Sequence, residues 1–201
     1  MQWIMSSLIG IALSATCGFR VFIPLLGIGI ACQAGHLTLA PGFQWIASYP
    51  AIAAFAVAAV LEVATYYVPW LDNLMDTIAT PAAIIAGTIA TASVVTDTSP
   101  LLRWSLAIIA GGGVAATVQT ASVVARGAST AVTGGVANPL VSTVELGASI
   151  LGTIMAIVLP IVAIALIMVM ILFMLRKKIA SLFSGAGTPE AEVESFSNSG
   201  G

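Results

Sequence analysis

Residues 146–175 run for 30 positions without a charged side chain and stop at Arg176-Lys177-Lys178. An α-helix rises 1.5 Å per residue, so about 20 apolar residues cross the ~30 Å hydrocarbon core of a bilayer. Basic residues collect on the cytoplasmic side of such spans. The stretch therefore predicts a membrane helix with a cytoplasmic C-terminus, kinked at Pro160, in a multi-pass protein of the cell (plasma or inner) membrane. The rest of the 201-residue chain agrees: it is 59% hydrophobic and only 7% charged, with a mean hydropathy of +1.10. Soluble domains carry about 25% charged residues. The fold expected is an all-α, polytopic transmembrane helical bundle of about five to six membrane segments, some of them kinked or re-entrant.

Residues 1–183 are read as the transmembrane domain and 184–201 as a disordered, acidic, Ser/Gly-rich cytoplasmic tail holding Glu190, Glu192 and Glu194. Upstream, residues 3–32 form a long apolar segment interrupted at Cys17-Gly18-Phe19-Arg20 and at Pro24, so it is one tilted helix or two half-helices. The first basic residue, Arg20, follows the apolar run rather than preceding it, and the segment is expected to be retained rather than cleaved. Residues 34–49, with His36, Pro41, Gly42, Trp45 and Tyr49, suit a loop at the headgroup level. Further spans are expected at about 51–68, 73–95 and 101–124. The last contains Gly111-Gly112-Gly113, which either breaks the helix or admits another backbone. Residues 125–145 are rich in Gly, Ala, Ser and Thr and suit a re-entrant or interfacial segment. Thr80-Pro81 and Asn138-Pro139, preceded at similar distances by Glu62 and Gln119, are a weak echo that suggests an internal duplication.

Several partners and chemistries are disfavoured. The net charge is −2 and the only basic cluster is Arg176-Lys177-Lys178, so no patch exists to neutralise nucleic-acid phosphates. Cys17 and Cys32 lack the close Cys/His spacing of a metal site and are read as packing residues. The single histidine, His36, falls in the expected loop and is assigned no role. No Ser-His-Asp set and no phosphate-binding Gly motif with its lysine occurs, so neither an enzyme, a cofactor, a metal nor nucleotide coupling is expected.

A set of motifs stands out in order: Gly18-Phe19-Arg20-Val21-Phe22-Ile23-Pro24-Leu25-Leu26, Leu61-Glu62, Val68-Pro69-Trp70-Leu71-Asp72-Asn73-Leu74-Met75-Asp76 and Thr80-Pro81. Thr133-Gly134-Gly135 and Asn138-Pro139-Leu140-Val141-Ser142 with Glu145 follow. Read together, these motifs resemble the membrane family catalogued as domain of unknown function 4126, over about residues 5–175. The family more often has Gly where this chain has Trp70, a departure that touches loop shape rather than charge. The resemblance implies a membrane fold. It implies no particular activity, because the family is itself uncharacterised.

Ionisable residues at membrane depth are the candidate site, because each costs at least ~2.5–3.5 kcal/mol at the bilayer centre unless paired or wet. Glu62 lies inside an apolar span beside Ala58, Ala59, Thr65 and Tyr66, and is either a proton or cation site or a structural partner for an arginine or backbone donor. Asp72 and Asp76 are four apart on one helical face that continues through Thr80, Ala83, Gly87 and Thr91, an acidic mouth above a small-residue seam. Alternatively Asp72 caps a helix and Asp76 sits among headgroups. Arg20 needs an interface or a carboxylate, with Glu62, Asp72, Asp76 and Glu145 as candidates. Gln119, Arg126, Asn138 and Glu145 complete the set, either as the lining of a midplane cavity or as interhelical hydrogen bonds.

The leading expectation is a small transporter or channel-like protein for an ion or small solute, in which Glu62 with Asp72 and Asp76 binds a proton or cation and Arg20 or Arg126 balances the charge. The alternative is a non-transporting scaffold or partner-binding subunit whose buried charges fix helix register. The lipid bilayer is the expected partner, with a homo-oligomer as a further one.

Overall fold

The computed structural model describes residues 2–66 and 69–184; the side chains of residues 69–76, 174–175 and 177–184 lie outside the described set. Beyond Ser184, the tail expected at 184–201 lies outside it as well. Among the described residues seven long helices form, besides a single 3-10 turn at Gln44–Ala47: α1 (Gln2–Cys17), α2 (Phe22–Gln33), α3 (Tyr49–Thr65), α4 (Pro69–Val94), α5 (Pro100–Thr133), α6 (Asn138–Val158) and α7 (Pro160–Ser184). Among the described residues there is no strand. The chain separates into two compact units, Met1–Ile164 and Ala165–Gly201; the first holds α1–α6, and the second holds the greater part of α7.

Three stretches, Thr77–Val94, Pro100–Thr133 and Asn138–Val158, are long and apolar enough to cross a membrane, and four shorter apolar helices accompany them. The distribution of side chains is inverted relative to a protein folded in water. Outward positions carry large apolar groups, such as Ile109 (76% exposed), Val132 (85%) and Leu140 (69%), while Ser14, Thr91, Ser93 and Ser149 are fully buried. Lipid, rather than water, solvates such a surface, and close packing of small residues takes the place of a greasy core. The chain is thus a membrane protein made of apolar helices.

Small residues set the helix seams. Gly10 of α1 sits against the Thr91 backbone of α4, and the Thr91 hydroxyl donates to the Gly10 carbonyl at 3.0 Å. A Cβ on Gly87 would stand 2.5 Å from the Ala115 Cβ and 3.1 Å from the Gly111 carbonyl oxygen. The stripe Ala83, Gly87 and Thr91 anticipated on α4 is therefore a buried seam against α1 and α5.

The segment 3–32 is two helices rather than one. Thr153 of α6 touches Thr16 of α1 (hydroxyls 3.3 Å apart) and packs on Gly27 of α2, so the two run side by side and residues 18–21 form the corner of a hairpin. At 16 and 12 residues, α1 and α2 reach about 24 and 18 Å, short of the ~30 Å hydrocarbon core. Gly18 packs on Ala115 and Val118, halfway along α5, so the corner lies at membrane depth.

Three local expectations are resolved. The glycine triplet does not break α5: residues 107–112 widen into a π-turn, and Gly111 and Gly112 admit α4, so the helix runs 34 residues rather than ending near 124. Residues 125–145 are more regular than their composition suggested, two helices joined by a tight turn. The helix continues to Thr133, turns through left-handed Gly134 (φ 63°) and Gly135 (φ 89°), and restarts at Asn138 with Pro139 in the first turn, where its missing N–H costs nothing. Pro160 does not kink one helix but opens another: α6 ends at Leu159, whose φ −134° and ψ 62° leave the helical region that a residue before proline avoids. The two halves of the suggested duplication also differ in setting, since Pro81 lies inside α4 whereas Pro139 starts α6.

Candidate functional site

The two largest fully buried side chains among the described residues are arginines, Arg20 and Arg126. Each is 1% exposed. An unpaired cation there would be prohibitive, and the fold supplies carboxylates from two other helices. Arg20 comes from the α1–α2 corner, Glu62 from the last turn of α3, Arg126 from α5 and Glu145 from α6. Two positive and two negative groups meet, and their formal charges cancel.

Glu145 is the hub. The Arg126 Nη2 lies 2.9 Å from its Oε2, the Arg126 Nε donates to its Oε1 at 3.1 Å, and the Arg20 Nη2 stands 3.7 Å from Oε2. The Ser122 hydroxyl donates to the Oε1 and accepts from the Arg126 Nη2 at 2.9 Å. Helical periodicity places these groups: Gln119, Ser122 and Arg126 are three and seven residues apart on one face of α5, and Asn138, Ser142, Glu145 and Ser149 repeat along one face of α6. All seven are buried. Asn138 tethers the hairpin below the cluster through its Nδ2, which donates to the Thr130 hydroxyl at 2.9 Å.

Glu62 does different work. Helix α2 opens at Val21 with no side chain of its own on the free N–H groups. The Glu62 carboxylate accepts from the Val21 N–H at 2.7 Å and the Phe22 N–H at 3.1 Å. A carboxylate at that place satisfies donors the helix leaves open and meets the positive end of its dipole. Tyr66, one turn further along, places its ring against both arginines, with the guanidinium carbons of Arg20 and Arg126 at 4.0 and 4.3 Å from the centroid. The face of an aromatic ring attracts such cations.

Arg20 is not saturated. Its Nη2 donates to the Ser142 carbonyl at 3.0 Å, yet among the described residues its buried Nε and Nη1 find no hydrogen-bond partner. The same holds for the Gln119 Nε2 and the Ser142 hydroxyl. A lateral cavity of about 270 Å³ reaches Glu62 and Tyr66 between Val21, Phe22, Ile78 and Ala82. Its walls are apolar, and Leu61 and Ile78 at its edge are 60% and 54% exposed on the outer surface.

Of the eight residues singled out from sequence, Arg20, Glu62, Arg126 and Glu145 converge, and Gln119 and Asn138 lie on the faces that supply them. The side chains of Asp72 and Asp76 lie outside the described residues, although both positions fall in the first turns of α4. Ser122 was not anticipated. Its spacing of four from Arg126 was the available signal, but serine on an apolar helix is too common to stand out.

No curated protein and no solved structure matches this chain. The sequence model of one family matches residues 7–178, which covers most of the chain and both halves of the charged cluster. With the order of its motifs, its apolar helices and that match, the chain belongs to the family described as Domain of unknown function (DUF4126).

Proposed function

We propose that this protein is a small transporter or channel-like protein for an ion or small solute, seated in the plasma or inner membrane with its C-terminus in the cytoplasm. One observation carries the reading. A fully buried arginine with two uncommitted donors stands at the corner between two helices too short to cross alone, where the α2 N-terminus also ends. Ionisable groups and half-helix ends at membrane depth mark solute pathways.

The charge balance suggests how coupling would work. Glu62 occupies the anion position at the α2 N-terminus. When Glu62 takes up a proton, the two arginines face Glu145 alone, and the cluster gains one positive charge. An acidic solute would restore neutrality by accepting from Arg20 and the α2 N–H groups. Proton and anion would then cross together. The test is flux of small acids into proteoliposomes under an imposed pH gradient. Glu62→Gln should abolish its dependence on the gradient while the variant stays folded; unchanged flux would remove Glu62 from the mechanism.

A scaffold remains the second reading, favoured by the mutual pairing of the four charges and by Glu62 acting as a cap. It expects Glu62→Gln to lower thermal stability or assembly and no solute to move. Single cysteines placed at Glu62, Asp76, Asn138 and Glu145 separate the two: labelling by a water-soluble reagent supports a pathway, and uniform protection supports the scaffold.

A further inference from the structure

The far end of the helical unit from the charged cluster holds a second polar feature. A cavity of about 780 Å³ opens between the start of α1, the loop after α2 and the α4–α5 turn. Ser6, His36, Thr38, Asp97, Thr98 and Arg103 supply its polar wall, over an apolar floor that includes Ile9, Leu37 and Val94. The walls are held in place: the Ala40 N–H donates to the Ser93 carbonyl at 2.7 Å, and the Gln33 Nε2 donates to the Ala47 carbonyl at 2.5 Å.

Two opposite charges face this space without meeting. Arg103 rests beside the Phe43 ring, 5.8 Å from its centroid, and Phe43 packs on Trp104 at 6.0 Å. The buried Arg103 Nε makes no hydrogen bond, nor does the buried Thr98 hydroxyl. Asp97 is exposed, held in the left-handed region at φ 57°, and forms no ion pair with Arg103 although both line the cavity. Asp97 thus presents its charge to the cavity and its surroundings rather than to Arg103.

The surroundings fix the depth. Trp3, Trp45, Tyr49 and Trp104 are 49%, 52%, 78% and 41% exposed, and all belong to this end. Exposed Trp and Tyr gather at the headgroup level of a bilayer. The cavity therefore lies where zwitterionic headgroups are found.

We infer that this cavity binds a zwitterion with a primary ammonium and an oxyanion, Arg103 taking the oxyanion and Asp97 the ammonium. A phosphatidylethanolamine headgroup and a free zwitterion such as phosphoethanolamine share this chemistry. An oxyanion pairs with the Arg103 guanidinium, which lines the cavity beside the Phe43 ring. An ammonium donates to Asp97, which a quaternary choline, lacking N–H groups, does not.

The test is native mass spectrometry of the full chain released from detergent, with phosphatidylethanolamine, phosphatidylcholine, phosphatidylglycerol, phosphoethanolamine and inorganic phosphate offered in turn. Asp97→Asn is the decisive variant because Asn adopts the left-handed conformation at least as well as Asp, so the fold is kept while the charge is lost. Phosphatidylethanolamine or phosphoethanolamine should bind to the wild type, and about tenfold or more weakly to Asp97→Asn and to Arg103→Gln. Binding of the lipid alone assigns the site to a headgroup, and binding of phosphoethanolamine assigns it to a free solute as well. Equal binding of phosphatidylcholine or phosphatidylglycerol, no binding of either zwitterion, or undiminished binding to Asp97→Asn would each overturn the inference.

Discussion

Replacing Glu145 by Gln keeps the shape of the side chain and removes the charge on which two buried arginines converge. In the native protein Arg20 and Arg126 face Glu62 and Glu145, two against two. The variant leaves two cations with one carboxylate, and that carboxylate is committed to the Val21 and Phe22 N–H groups. Removing one member of a buried pair costs about 3–5 kcal/mol, because the remaining charge stays desolvated. At about 2–4 °C per kcal/mol for a chain of this size, the thermal unfolding midpoint of the purified protein in detergent should fall by about 6–20 °C. Arg126→Gln should do similar harm. Combining Arg126→Gln with Glu145→Gln restores neutrality, with Arg20 and Glu62 remaining, so the double variant should be more stable than the sum of the singles by about 2 kcal/mol. Salt should change little, since screening acts weakly on buried charges. Single variants within about 2 °C of the wild type, or a strictly additive double variant, would refute a cluster held together by mutual neutralisation.

Two glycines of α5, two positions apart, should respond differently. A Cβ on Gly111 would meet the Thr91 hydroxyl and stand 2.8 Å from the Gly87 carbonyl oxygen, whereas one on Gly113 meets nothing. Gly111→Ala should therefore cost about 1–3 kcal/mol by thermal unfolding, and Gly113→Ala should be neutral or stabilise by up to ~1 kcal/mol. Tyr66→Leu removes the ring that Arg20 and Arg126 both contact and should cost about 0.5–2 kcal/mol for each cation–ring contact, while Tyr66→Phe retains the ring face and most of the stability.

Solvent was written into the sequence. An uncharged run of 30 residues and so few ionisable groups leave a chain of helices in a bilayer as the outcome, because every backbone polar group must then be satisfied within its own helix. Four of the residues that meet in the cluster were visible for the same reason: a charge in an apolar segment is costly enough that its presence demands a partner. The seam Ala83–Gly87–Thr91 was legible through its helical period.

Partnership was not written there. Arg20 had four carboxylates to choose from, and only the hairpin corner at 18–21 brought it to Glu145 while turning Glu62 towards the α2 N-terminus. Whether Gly111-Gly112-Gly113 breaks a helix or seats a neighbour depends on what stands opposite, and Gly87 stands opposite. His36 gave no sign of a role, yet it shares a cavity wall with Asp97 and Arg103, residues 61 and 67 positions away in the chain. Local sequence decides where a helix starts, ends and what surrounds it; pairing between helices is set by packing distances of a few ångströms, and those exist only once the chain has folded.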